Sequence, residues 1–189
     1  MKLVKLVAVT ALMVAGVAQA QSKGYTSFEY YDEHNRKTNA DNIAGAVVVG
    51  LKTPENWDFS LKASGSQTEL GNGTISTAVE TRIRRSFPNA IGSLTPWVGI
   101  RLGESIKSTE HYSYYAAEGG VKFPLFGALS GDVGYRYKDA VSKDGQQTDR
   151  VYGLVSYALT KQDSVALRFS RSYGDEEKDA YRLSYTRSF

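Results

Sequence analysis

Ala180-Tyr181-Arg182-Leu183-Ser184-Tyr185-Thr186-Arg187-Ser188-Phe189 closes the chain. Tyr181, Leu183, Tyr185 and Phe189 share one parity, and Ala180, Arg182, Ser184, Thr186 and Ser188 share the other. Successive side chains of a strand point to opposite faces, so this stretch reads as a strand with one apolar and one polar surface. Arg187 is the exception on the apolar parity, and its long stem can carry the charge out to a polar boundary.

The same period runs back through the chain. Alternating segments fall at 24–34, 41–52, 57–69, 74–87, 95–106, 112–124, 129–139, 149–160, 164–173 and 180–189. In the third, Trp57, Phe59, Leu61 and Ala63 oppose Asp58, Ser60, Lys62 and Ser64. In the ninth, Val165, Leu167 and Phe169 oppose Ser164, Ala166, Arg168 and Ser170. Ten strands and no helical period define an all-β fold.

Alternation alone also fits a soluble barrel or sandwich with its apolar face turned inward. Three features favour a bilayer. Aromatic residues gather at segment ends, with Trp57, Phe87, Phe123 and Tyr157 at one end and Phe28, Tyr30, Tyr115, Tyr137 and Tyr173 at the other. Membrane interfaces select such girdles. Strands of about 11–13 residues, tilted near 40°, rise roughly 30 Å and can cross a hydrocarbon core. The connections also alternate, tight at 53–56, 125–128 and 160–163 but longer and more polar at 139–148 and 174–179. The expected fold is a transmembrane, antiparallel, up-and-down β-barrel of ten strands. An eight-stranded barrel is the alternative, because Asp32 has outward parity in strand one and Tyr152 and Leu154 have inward parity in strand eight.

A terminal strand ending on an aromatic resembles the closing strand of bacterial outer-membrane β-barrels, whose assembly machinery reads such a terminus. The resemblance implies an assembly signal in Tyr181, Leu183, Tyr185 and Phe189. It also implies help from periplasmic chaperones, contact with outer-membrane lipid and lipopolysaccharide, and both termini in the periplasm of a Gram-negative cell. The expected molecule is a multi-pass monomer.

The start of the chain agrees. Lys2 and Lys5 precede an apolar run from Leu6 to Ala18, and Ala18-Gln19-Ala20 follows as a small-x-small site. This is the pattern of a cleaved Sec signal over residues 1–20, which leaves 21–189 as the barrel domain. The apolar run is shorter than the roughly 20 residues a spanning helix needs. The chain has no cysteine, which excludes disulfides, thiolate metal sites and a lipid-anchored N-terminal cysteine. No basic block suggests nucleic acid. No cofactor or metal is expected.

Inward parity collects Glu29, Lys62, Glu80, Arg82, Arg84, Arg101, Glu118, Lys122, Asp132, Arg136, Arg168 and Arg182, in which bases outnumber acids. A ten-stranded barrel has a backbone radius of roughly 10 Å, so these side chains either fill the interior or leave a narrow path. The expected activity is a narrow, porin-like channel with weak anion preference. Arg82 and Arg84 would supply positive charge along one wall, and inward Gly99, Gly103, Gly120 and Gly134 would supply space. A closed structural or surface-interaction barrel is the alternative. A third reading, an outer-membrane enzyme acting on lipid or peptide, needs a base, and only His34 and His111 offer one. Asp32, Glu33, Ser108, Glu110 and Ser113 lie near them in sequence, but neighbours on a strand face opposite ways, so no catalytic set is assigned. Gly71-Asn72-Gly73 reads as a hairpin turn.

Overall fold

The computed structural model describes residues 22–68, 75–107, 111–141 and 147–189. The expected signal segment over residues 1–20, Gly71-Asn72-Gly73, Ser108 and Glu110 lie outside the described residues. The strands are β1 (Lys23–Asn35), β2 (Ala40–Lys52), β3 (Trp57–Thr68), β4 (Ile75–Ser86), β5 (Thr95–Lys107), β6 (His111–Pro124), β7 (Leu129–Ala140), β8 (Thr148–Ala158), β9 (Asp163–Gly174) and β10 (Lys178–Ser188). Each pairs antiparallel with its sequence neighbours, and β1 pairs with β10 to close the sheet. The eight-stranded alternative is therefore wrong: β1 and β8 are full staves of the barrel. Closure leaves no strand edge facing lipid, where unpaired amides would be costly.

The barrel is inside-out relative to a soluble one. Leu167, Leu183, Val98 and Ile100 are each more than half exposed, whereas Glu80, Arg101, Glu118 and Asp132 are buried. An apolar band of this extent has no place in water but matches acyl chains. Among the described residues, no helix is long and apolar enough to cross a membrane.

Three tight connections and one longer one lie at the end that holds both termini. In the β2–β3 turn, Thr53 N–H donates to the Trp57 carbonyl at 2.9 Å. Asn56 there takes a positive φ of 65°, a conformation that asparagine tolerates better than most residues. Gly127 does the same in the β6–β7 turn. The β8–β9 turn is fixed by Thr160, whose Oγ1 accepts from the Asp163 N–H at 2.9 Å. The β4–β5 connection is longer and is pinched by an Ile91–Leu94 bridge.

The aromatic girdles stand as expected with one correction. Phe28 pairs across to Tyr185 in the terminal half of the wall, so it does not belong with Tyr30, Tyr115 and Tyr173. Arg187, the exception on the apolar parity, lies 3.7 Å from Asp163 at the terminal rim. Asp32 sits at the opposite rim, in a groove it shares with Tyr30, His34, Asp41, Ile43, Asp179 and Tyr181.

Candidate functional site

The lumen is built from the inward face of every strand. Near the termini, Tyr25 Oη–H donates to Asp58 Oδ1 at 2.9 Å, and Arg82 Nη2 donates to Asp58 Oδ2 at 3.2 Å. Beside them, Arg84 reaches Asp132 at 3.4 Å and lies over the Trp97 ring, 3.9 Å from its centroid. The Trp97 indole N–H donates to the other Asp132 oxygen at 3.1 Å. Arg82 and Arg84 do share one wall, but each has its own carboxylate, so this wall carries little free charge. Lys122 is exposed at the terminal rim.

At mid-height, Arg101 is clamped between two acids. Its Nε donates to Glu118 Oε2 at 2.7 Å, and its Nη1 donates to Glu80. Tyr114 Oη–H donates to Glu80 at 3.1 Å, and Arg136 approaches the same carboxylate at 3.9 Å. A second acid-centred cluster lies alongside, where Glu29 meets both Lys62 and Arg182 at 3.0 Å and accepts from Tyr31. Charge-assisted bonds of this kind offset the cost of removing the ions from water.

The inward glycines do not leave the free volume expected of them. A Cβ on Gly103 would meet the Tyr114 ring at 2.4 Å, and one on Gly134 would meet the Tyr152 ring at 2.5 Å. Gly120 lies under Trp97 in the same way, Gly50 lies under Tyr25, and Gly99 faces Glu118. Gly120 and Gly134 are register partners on β6 and β7. Trp97 from β5 and Tyr152 from β8 lean over them from either side and stack at 6.4 Å. The inward parity of Tyr152 thus serves the packing of the barrel.

Above this plug, towards the loop end, the lumen opens into a cavity of about 180 Å³. Tyr31, Lys62, Arg101, Tyr114, Arg136, Arg150, Arg168 and Arg182 line it, with the acids Glu33 and Glu80 and serines of β3 and β9. Arg150 was missed in the sequence, although it has inward parity in β8. Its Nε donates to Ser172 Oγ at 2.8 Å. Arg168 lies over the Tyr152 ring at 4.0 Å. Among the described residues, no carboxylate lies within ion-pair reach of either guanidinium. Nε of Arg168 and Nε of Arg182 are buried without a hydrogen-bond partner.

The mouth of the cavity is held by the β9–β10 loop. Glu176 lies 3.8 Å from both Lys138 and Lys178, and Lys178 is 3.7 Å from Glu33. Burial alone would raise the Glu176 carboxyl, but Lys178, Lys138 and Lys107 outweigh it and hold the group at about 2. Lys52, Asp58, Glu33, Lys138 and Lys178 also belong to the charged interior, and the same parity count carried to the strand ends would have found them.

The two histidines stand outside the lumen. His34 Nδ1 meets Asp41 of β2 at 2.7 Å, and neither Asp32 nor Glu33 is its partner. His111 Nε2 lies 3.8 Å from Glu104. Among the described residues, neither imidazole has a hydroxyl nucleophile hydrogen-bonded to it.

The closed sheet, the outward apolar band and the charged interior define a bacterial outer-membrane-type β-barrel. Solved structures share the fold at low sequence identity. An outer-membrane channel from Pseudomonas putida matches with a TM-score of 0.57 and 9% identity, over 89% of this chain and 95% of that one. The β domain of the Bordetella autotransporter BrkA matches at 0.54 and 11% identity, over 89% and 99% of the two chains. The translocator domain of the autotransporter NalP from Neisseria meningitidis matches at 0.51 and 9% identity, over 98% and 95%. No protein-family model matches the sequence, and no curated protein does. The particular protein is therefore a small, ten-stranded member of this architecture, defined by its own lumen.

Proposed function

We propose that this chain is a monomeric outer-membrane conduit of the porin kind, narrow and weakly selective for small anions. Its termini lie in the periplasm, and its loop end faces outward into the lipopolysaccharide leaflet. In this reading the barrel-assembly machinery inserts it after periplasmic chaperones deliver it, with the Phe189 strand as the signal. The observation that carries the transport reading is the pair Arg150 and Arg168, whose guanidiniums line an open cavity without a carboxylate partner. Fixed positive charge in a narrow, low-dielectric passage draws in anions and repels cations. Glu80, Arg101 and Glu118 form the constriction beneath.

One observation favours a second reading, a closed structural barrel. Arg101 projects inward and bridges the buried acids of its two flanking strands, Glu80 of β4 and Glu118 of β6, and aromatic rings fill the spaces over the glycines. Planar-bilayer recording of the refolded protein separates the two. Small, steady steps with a reversal potential of anionic sign across a KCl gradient support the conduit. A cation-selective step overturns the anion assignment, and silence at every voltage favours the closed barrel.

A further inference from the structure

We propose that the loop-end cavity is a saturable binding site for a small dianion bearing two oxyanion groups, such as a dicarboxylate or a diphosphate. The proposal rests on the reading that this half of the lumen is open to solutes, but it does not need the constriction below to conduct.

Charge is the first argument. Five guanidiniums, those of Arg101, Arg136, Arg150, Arg168 and Arg182, line one cavity against two carboxylates, Glu33 and Glu80. Arg182 shares Glu29 with Lys62, and Arg136 shares Glu80 with Arg101 at the longer distance of 3.9 Å. Among the described residues neither Arg150 nor Arg168 has a carboxylate within ion-pair distance, although Glu33 lines the same cavity and, with Glu176, acts on Arg150 from further off. Among the described residues the buried Nε of Arg168 has no hydrogen-bond acceptor, and the guanidinium lies over the Tyr152 ring beside Arg182, its register partner. A guanidinium offers five N–H donors in a rigid fork, and a buried one without acceptors is expensive. Proteins normally pair such groups. The unpartnered Nε of Arg168, beside an Arg150 held only by the Ser172 hydroxyl, therefore points to acceptors that arrive from solution.

Size and geometry give the class of ligand. A cavity of about 180 Å³ holds the equivalent of roughly six waters, which admits a compact dianion and excludes an extended chain. Carboxylate and phosphate oxygens match the fork geometry of arginine two at a time, which chloride does not. Arg150 and Arg168 sit on adjacent strands, β8 and β9, so two groups linked by a short spacer would each find one fork. The Tyr31 and Tyr114 rings wall the cavity beside them.

Isothermal titration calorimetry on the refolded protein in micelles tests this, with sodium pyrophosphate and sodium succinate as separate titrants against a background of 100 mM chloride. At least one titrant should bind with one-to-one stoichiometry. Arg168→Gln and Arg150→Gln should each weaken it at least tenfold, whereas Arg171→Gln, on the outer wall at similar height, should leave it unchanged. The thermal midpoint supplies a readout that a purely structural arginine would not give. Without titrant, Arg168→Gln should melt at or above wild type, because an unpaired charge is removed, and it should lose the ligand-induced rise. Binding equal in wild type and Arg168→Gln, or absent for both titrants, overturns the site. Binding without any bilayer conductance leaves the site standing and removes the conduit. Conductance without binding does the reverse.

Discussion

Phe189 covers Gly24. Its backbone N–H donates to the Gly24 carbonyl at 3.0 Å, and its ring occupies the space a Gly24 side chain would need, 2.6 Å from where that Cβ would stand. The last residue of the chain is thus seated on the first strand, where the sheet closes.

That seat predicts an assembly defect from either partner. Gly24→Val should displace the ring and lower the yield of folded barrel, read as heat-modifiable migration in SDS gels. Deleting Phe189 should do the same. Burial of one large aromatic is worth roughly 1.5–3 kcal/mol, too little to abolish a barrel, so a much larger loss after the deletion would reflect recognition during insertion. Wild-type levels in both variants would remove the signal assigned to this strand.

The outward and inward faces predict opposite tolerance at neighbouring positions. Leu167→Arg places a charge in the apolar band and should cost roughly 2–4 kcal/mol near the midplane, measured by urea unfolding in lipid vesicles. Ala166→Arg points into the lumen and should cost less. Equal losses would mean that the register of β9 is shifted by one residue.

Arg101 predicts the cost of breaking the clamp. Arg101→Ala leaves Glu80 and Glu118 buried and facing each other without their common partner. Removing one side of a buried ion pair typically costs about 3–5 kcal/mol, so the unfolding midpoint should fall accordingly. Single-channel steps should grow at the same time, because a long inward side chain is gone from the lumen wall. An unchanged midpoint would show that the clamp is not a stabilising element.

Glu176 predicts acid sensitivity of the mouth. Its carboxyl is held at about 2, below an ordinary value of 4.5. A depressed folded value stabilises the contact above the unfolded value and loses it as pH falls through the folded one. The loop should therefore keep its pH 7 behaviour down to about pH 4.5 and loosen between there and pH 2. Carbon-13 shifts of the Glu176 carboxyl, with Glu176→Gln as the reference, give the midpoint. A midpoint near 4.5 would show a carboxylate that is solvated and free of Lys138 and Lys178.

Most of the wall was legible in the sequence, because the 2-residue period is local and a bilayer enforces it at every strand. The strand bounds differ from expectation by a residue or two. The identity of the inward residues was legible for the same reason. Their pairing was not. Lys62 stands opposite Glu80 in the β3–β4 register, yet it bonds Glu29 on β1. Glu118 stands opposite Arg136, yet it bonds Arg101. Long charged side chains in a narrow barrel reach across strands and around the wall, and the partner each finds depends on curvature and stagger that no single strand encodes. The roles of the glycines were hidden likewise, since Gly50, Gly103, Gly120 and Gly134 are each matched to a ring on a neighbouring strand and Gly99 to Glu118.

Those matched rings make the interior modular. Tyr25 over Gly50, Tyr114 over Gly103, Trp97 over Gly120 and Tyr152 over Gly134 are plugs seated in sockets, and the socket is bare backbone in each case. Adding bulk to a socket jams it, whereas trimming a plug opens a hole that the opposite strand has no side chain to fill. Widening this barrel therefore requires no extra strand: the chain already carries four places where it can be bored out, one aromatic at a time.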